Sequence, residues 1–356
     1  TAANQLSNSV VNQVFQDRDG MIWIATRNGL NSYDGYQFKH YRKEDGKSRL
    51  TSNYLICFCQ DNKGNLYVGS NLTVQRFNGE YFENIRLIDT NGHATSTYIT
   101  NIVQRRNGQI IIASSGYGLF AMASDGTAEG IKGLPAGITY TRRVAEDSHR
   151  RLWVATSFNG LYRLSDNRRA THYFTDKTIG NTLRDICTDN QGNLWVATFG
   201  QGLWRWQEAT GQFVKVKAVG NLPLTKIFVN KEGKVMLGCD GKGLHVYDPQ
   251  YDLLVTNPIY SKDVDLSHAK VYDILEDQNS NLWLGLFQKG LFMQPATRSV
   301  FGYMGPKLGD KNMIGSNCVT SVYVDSKRRY WVGTDKDGLY LLGPDKRLIR
   351  HYTSVP

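Results

Sequence analysis

The chain has 356 residues, enough for two average domains or one large repeat array, with 40% hydrophobic and 21% charged residues, the balance of a packed protein and not of a disordered one. Its 35 glycines, 20 tyrosines and seven tryptophans favour turns and strands over helices. The net charge of +10 favours anionic partners, but the basic residues are scattered with no run of five or more, which speaks against a nucleic-acid arm, and no apolar stretch approaches the length of a membrane-spanning helix.

The chain opens Thr1, Ala2, Ala3, Asn4 without a basic, apolar leader, as expected of a cytoplasmic protein or of one whose leader has been removed. From Val10 to Gln16 an apolar run predicts a first strand, and Asp17 to Gly20 predicts a turn in which the carboxylate accepts backbone N–H bonds and the glycine takes the positive φ. A second strand surrounds Trp23, a short turn ends at Gly29-Leu30 and opens a third, and Tyr36-Gln37-Phe38 predicts a fourth. The same order then recurs, with turns starting at Asp61, Arg105, Asp147, Asp189, Asn230, Asp277 and Asp325. The equivalent bulky residues are Trp23, Tyr67, Ile111, Trp153, Trp195, Met236, Trp283 and Trp331, at intervals of 44, 44, 42, 42, 41, 47 and 48 residues. Eight four-stranded copies at such a period predict an all-β propeller of antiparallel blades. The copies form either one eight-bladed domain over residues 1–356, or a seven-bladed ring over 1–305 with 306–356 as the first repeat of a following unit; a fourth strand in every copy favours the single ring.

The repeat absorbs several motifs that resemble catalytic or binding signatures. Gly200-x-Gly202 and Gly241-x-Gly243 each precede a strand and recur with the period, so they are turns and not nucleotide loops. An alanine or glycine two residues after the bulky position (Ala25, Gly69, Ala113, Ala155, Ala197, Gly238, Gly285, Gly333) lets neighbouring sheets approach closely. HExxH, GxSxG and the P-loop pattern are absent, and the seven histidines lack metal-ligand spacing. Cys57, Cys59, Cys187, Cys239 and Cys318 form no CxxC pair and are odd in number, and four of them fall inside apolar strand patterns, so they read as buried thiols rather than a disulfide or zinc framework. No cofactor and no metal is called for.

The consensus, an aliphatic strand followed by D-x-x-G-x-L-W-[VIL]-[AG]-T and then G-L, resembles the two-component regulator propeller repeat, and Tyr33 to Phe38 resembles the usual end of a first copy. The resemblance covers nearly the whole chain. It implies the periplasmic sensor region of a hybrid two-component receptor, which senses polysaccharide breakdown products, works as a homodimer, and reaches a histidine kinase through an Ig-like module and a membrane helix that are not in this sequence. Such sensors generally carry two propellers of seven blades, whereas eight repeats are counted here.

In an up-and-down sheet the start of the first strand, the end of the second and the start of the third share one end, and residues that vary among copies at that end converge on one face. The turns there supply Arg27, Asn28, Tyr117, Phe158, Asn159, Phe199, Gln201, Asp240, Lys242, Phe287, Lys289, Asp335 and Lys336, and the first strands add Arg142, Arg143, Arg184, Lys226 and Tyr272. Aromatics for stacking, amides for hydroxyls and cations for carboxylate or sulfate suit an oligosaccharide, an acidic one in particular. The expected function is therefore ligand binding without chemistry, with no nucleic acid and no membrane contact by this part of the receptor. Two alternatives stand beside it. A polysaccharide lyase or glycosidase would need Asp185, Asp240, Asp273 or Asp335 to converge as acid and base, and a protein-interaction platform would use the same face for peptides.

Overall fold

The computed structural model describes residues 6–165, 169–189, 191–256, 265–296, 314–315 and 318–353. Among these residues eight sheets form, one per repeat. The chain divides into two compact units, Thr1–Ala296 and Thr297–Pro356.

The first unit holds seven sheets, here called blades 1 to 7, over residues 11–41, 55–84, 98–130, 141–173, 183–215, 224–256 and 271–294. In blades 1 to 6, strands A, B, C and D pair in sequence order, so each copy folds on its own neighbours. Blade 3 is widened by Leu87–Ile88, which pairs in parallel with Ala128–Gly130, and by Ala94–Thr95. Blade 7 shows three strands, ending at Gln294; the fourth expected there falls on residues outside those described. In blade 1 the fourth strand is Phe38–Tyr41, later than expected, because Asp34 Oδ1 takes the N–H groups of Tyr36 and Gln37 and holds both in the turn.

Strand B is the buried element of every blade in this unit, as in Leu152–Thr156 and Leu194–Thr198, whose residues are all buried. Its tryptophan packs among the rings of its own and the neighbouring blade: Trp153 meets Tyr173, Trp206 and Phe213 at ring distances of 5.3, 5.0 and 5.7 Å. The small residue after it faces the next blade. A Cβ on Gly69 would lie 2.7 Å from Ile99 Cγ2, and one on Gly285 2.8 Å from Val11 Cγ1. The repeated aspartate anchors the indole as well as the turn. Trp23, Trp153, Trp195 and Trp283 donate to Asp17, Asp147, Asp189 and Asp277 at 2.7, 2.7, 3.0 and 2.8 Å.

Strand A of each blade packs on strand A of the next, and blade 7 returns to blade 1. Val11, Val14, Ile22 and Ile24 share a core with Trp283 and Leu291, and Val14 N donates to Asp273 Oδ2 at 2.8 Å. One ring over residues 1–356 would put the eighth repeat at this seam. In the structure the first blade packs directly on the seventh.

The second unit contains the eighth sheet, Val319–Val324, Tyr330–Thr334, Leu339–Leu342 and Leu348–Tyr352, around a small core of Ile314, Val332, Tyr340 and Leu342. All six residues of its strand A are exposed, among them Val322 and Tyr323.

Candidate functional site

One irregularity repeats in every blade. The register between strands A and B slips by one residue near the start of A, so that Val11 faces Thr26 but Gln13 faces Ala25, and the residue between is extra. A bulge of this kind re-aims a side chain. The seven bulged residues of the ring are Asn12, Ile56, Thr100, Arg142, Arg184, Thr225 and Tyr272. All seven line a single cavity of about 560 Å³ at the mouth of the ring.

The turn after strand B supplies the rest of the wall through its first residue: Arg27, Ser115, Ser157, Phe199 and Asp240. Two residues ahead of the bulge in blades 2 and 3, Tyr54 and Tyr98 complete it, joined by a hydroxyl contact of 3.5 Å. Around the ring the wall therefore runs from Arg27 in blade 1 through Tyr54, Tyr98, Arg142, Arg184 and Asp240 to Tyr272 in blade 7. Phe287 stands beside it, its ring 5.2 Å from that of Tyr272.

Of the four arginines lining this cavity, Arg143 is paired with Asp185 and the other three have no carboxylate partner among the described residues. Among the described residues no ion pair is made by Arg27, Arg142 or Arg184, and the buried Nε of Arg142 has no hydrogen-bond partner. Rings take the place of acids: the Arg27 guanidinium lies 5.7 Å from the Tyr54 ring and 5.6 Å from that of Phe287, and the Arg184 guanidinium 5.1 Å from that of Phe199. Burial, reinforced by the charges of Arg184 and Arg143, pushes the Arg142 guanidinium down to about 10, so it stays cationic at neutral pH. Burial lowers Arg184 as well, and Asp240 offsets part of that effect. Asp240 itself is paired with Lys270 at 2.9 Å.

The next residue of each strand A lies one step deeper. In blades 1, 3, 5 and 7 it is Gln13, Asn101, Asp185 or Asp273, and its side-chain oxygen accepts the backbone N–H of Phe58, Val144, Ile227 or Val14 in the following blade, at 2.8, 2.9, 3.1 and 2.8 Å. Lys226 stands between the two aspartates, and Arg143 flanks Asp185 from the preceding blade. Arg143 Nε is 3.2 Å from Asp185, and Lys226 Nζ bridges Asp185 and Asp273 at 3.3 and 3.2 Å. Burial pushes the Asp273 carboxyl up despite Lys226, while Lys226, which burial alone would depress, is held up by the two aspartates. Below this cluster lies a second cavity of about 430 Å³, which Asn12 and Arg143 also line.

The structure thus brings Arg27, Arg142, Arg143, Arg184, Phe199 and Tyr272 to one cavity, with Phe287 at its edge, and turns Lys226 inward to Asp185 and Asp273. Asn28, Tyr117, Phe158, Gln201, Lys242 and Lys289 do not line it; they lie farther along the turns, where Lys289 Nζ donates to the Asp265 carbonyl. Lys336 belongs to the second unit, as does Asp335. Tyr54 and Tyr98 were not singled out from the sequence, although their 44-residue spacing at one register position marks them. An outer groove of about 600 Å³, lined by Arg105, Met122, Lys132 and Leu164 among others, is as large, but its Arg105 is already paired with Glu146 at 2.9 Å.

Among the described residues the carboxylates nearest the mouth are all ion-paired, Asp185 and Asp273 with Lys226 and Asp240 with Lys270. Among the described residues no group of three or more His, Cys, Asp or Glu is placed to hold a metal ion. Burial pushes the thiols of Cys57, Cys59 and Cys239 up to about 12, which leaves them poor nucleophiles.

Comparison with known proteins agrees with the repeat. A curated relative, histidine kinase P4 of Formosa agariphila, is 46% identical over 50 residues, which is 14% of this chain and 4% of the relative. Among solved structures, the extracellular domain of a B. thetaiotaomicron protein assigned as a hybrid two-component system is similar with a TM-score of 0.72 and 23% identity, over 98% of this chain and 48% of that one. Virginiamycin B lyase from Staphylococcus aureus is similar with a TM-score of 0.61 and 15% identity, over 80% of this chain and 94% of that one. The chain thus spans about half the length of the first structure and a small part of the kinase, and at these identities the structural likeness speaks to fold alone. Residues 5–28, 49–72, 179–200 and 313–336 match the family described as two component regulator propeller. Four of the eight copies thus match the two-component regulator propeller repeat, and the same bulged register runs through all eight.

Proposed function

We propose that residues 1–305 form the ligand-sensing propeller of a hybrid two-component receptor, and that its mouth binds an acidic oligosaccharide without breaking a bond in it. The observation that carries this reading is the set of three arginines, Arg27, Arg142 and Arg184, without carboxylate partners among the described residues, around a cavity walled by Tyr54, Tyr98, Phe199 and Tyr272. The buried, unpartnered Nε of Arg142 is costly unless an acceptor arrives to complete it, the more exposed Arg27 offers its charge at the rim, and the rings beside them supply the flat faces on which sugars stack. The cavity is also of the size in which small ligands are held. In the same reading the domain lies in the periplasm, acts as a homodimer, and reaches the membrane and kinase through segments beyond the sequence given. Residues 306–356 then open a following propeller unit, whose next blade would cover the exposed strand Val319–Val324.

A panel of neutral and acidic oligosaccharides tests the proposal by calorimetry together with product analysis. Binding of acidic members without turnover, weakened at least tenfold by Arg142→Ala with Arg184→Ala, supports it. Cleavage products would favour the lyase reading, and binding unchanged in the double variant would remove the site.

A further inference from the structure

The cavity carries its unpaired positive charge at two places. Arg142 and Arg184 stand side by side on blades 4 and 5, each lowered by burial. Arg27 stands apart from them on blade 1, with blades 2 and 3 between on one side and blades 6 and 7 on the other. The two places are held in different ways. Arg27 lies between the Tyr54 and Phe287 rings, whereas Arg184 lies over Phe199 and Arg142 has a bare Nε. What separates them is neutral in sum: Tyr54 and Tyr98 on one arc, and Tyr272 and the Asp240–Lys270 ion pair on the other.

A carboxylate or sulfate makes charge-assisted bonds only within about 3 Å of its donors. One such group therefore completes one of the two places and leaves the other unpaired. We infer that the cavity recognises two anionic groups at once, carried on different sugar residues of one oligosaccharide, one group at Arg142 and Arg184 and the other at Arg27. This inference rests on the reading of the cavity as a glycan site and adds charge number and spacing to it. The tyrosines between the two places face the neutral part of the sugar that joins the two acids. A ligand with a single acid loses one of its two anchors, and a neutral ligand loses both.

The probes are selenate, tri-galacturonate, and tri-galacturonate esterified at all but one carboxyl. Crystals of the chain soaked in selenate are expected to show two anomalous positions in the cavity, one at Arg27 and one at Arg142 and Arg184. Arg27→Gln should empty the first alone and Arg142→Gln the second alone. In solution each variant should weaken tri-galacturonate at least tenfold, while the singly charged ester should respond to only one of them. A single selenate position, or none, overturns the inference, as does tri-galacturonate binding that ignores Arg27. If tri-galacturonate binds and depends on Arg142 but not on Arg27, the glycan reading stands and two-point recognition falls. If selenate fills both places and no oligosaccharide of the panel binds, the glycan reading fails and the two anion places remain.

Discussion

Asp277 shows how much one repeated residue carries. Its two oxygens accept from Asn279 N, Asn281 N, Asn281 Nδ2 and Trp283 Nε1, at 2.9, 2.8, 2.8 and 2.8 Å, while the residue itself is buried. Replacing it with alanine orphans the turn and the indole together, and the expected loss is about 2–4 kcal/mol by urea unfolding. The turn half of that role was legible in the sequence, because the carboxylate recurs with the period; the bond to the indole emerged only from the structure. The cavity residues were legible only in part. Arg142 and Arg184 stand out as cations in strand A, but which turn residue faces the mouth depends on the bulge, and no residue type in the sequence announces it. At the outer surface, Glu208 is held down to about 2, chiefly by Arg151 and then by Trp206, with Arg151 Nη2 at 2.6 Å and Trp206 Nε1 at 2.7 Å. Its folded value lies below the ordinary 4.5, so its contribution is present above that pH and is lost as pH falls toward 2. Thermal melts of the wild type and Glu208→Gln should differ at pH 6 and converge near pH 2.

At the scale of the element, the bulge in strand A and the glycine that opens strand C do separate work. The bulge sends one side chain per blade into the mouth without altering the ladder beyond it, which is why the copies can differ there as widely as Ile56, Arg142 and Tyr272. Arg184→Ala should accordingly leave the melting temperature within about 1 °C while weakening an acidic ligand, since what the side chain gives up is its place over the Phe199 ring and a 3.3 Å bond to the Leu183 carbonyl. The glycine has no such freedom. Gly202 has φ +75°, and a Cβ there would lie 2.0 Å from the Gly220 carbonyl oxygen. Gly202→Ala should cost more than about 2 kcal/mol, read as a lower urea midpoint with an unchanged slope. Strand order and the packing role of the small residues followed from the period alone. The late start of strand D in blade 1 did not, because a side chain, Asp34, decides it by capturing two backbone amides.

For the whole molecule the decisive contact is the seam between blades 1 and 7. The sequence repeats the same pattern at every junction, so eight copies are equally compatible with a ring of eight and with seven plus one. At this seam Val11 and Val14 pack against Trp283 and Leu291, and the Asp273 carboxylate accepts from Val14 N. Asp273 also holds Lys226, so Asp273→Ala opens the seam and leaves a largely buried lysine with half of its pairing. A loss of about 3–5 kcal/mol is expected, with the Val14 amide exchanging faster, and Asp273→Asn should restore part of it by keeping the acceptor. The same cluster underlies the arginine-rich mouth, on which the function proposed here depends. Calorimetry of acidic oligosaccharides against the chain and its Arg142→Ala, Arg184→Ala variant, with the recovered sugars analysed afterwards, tests that function most directly. Saturable binding of an intact acidic ligand that falls at least tenfold in the variant is the predicted result; binding of equal strength in both proteins, or recovery of cleaved sugar, would contradict it.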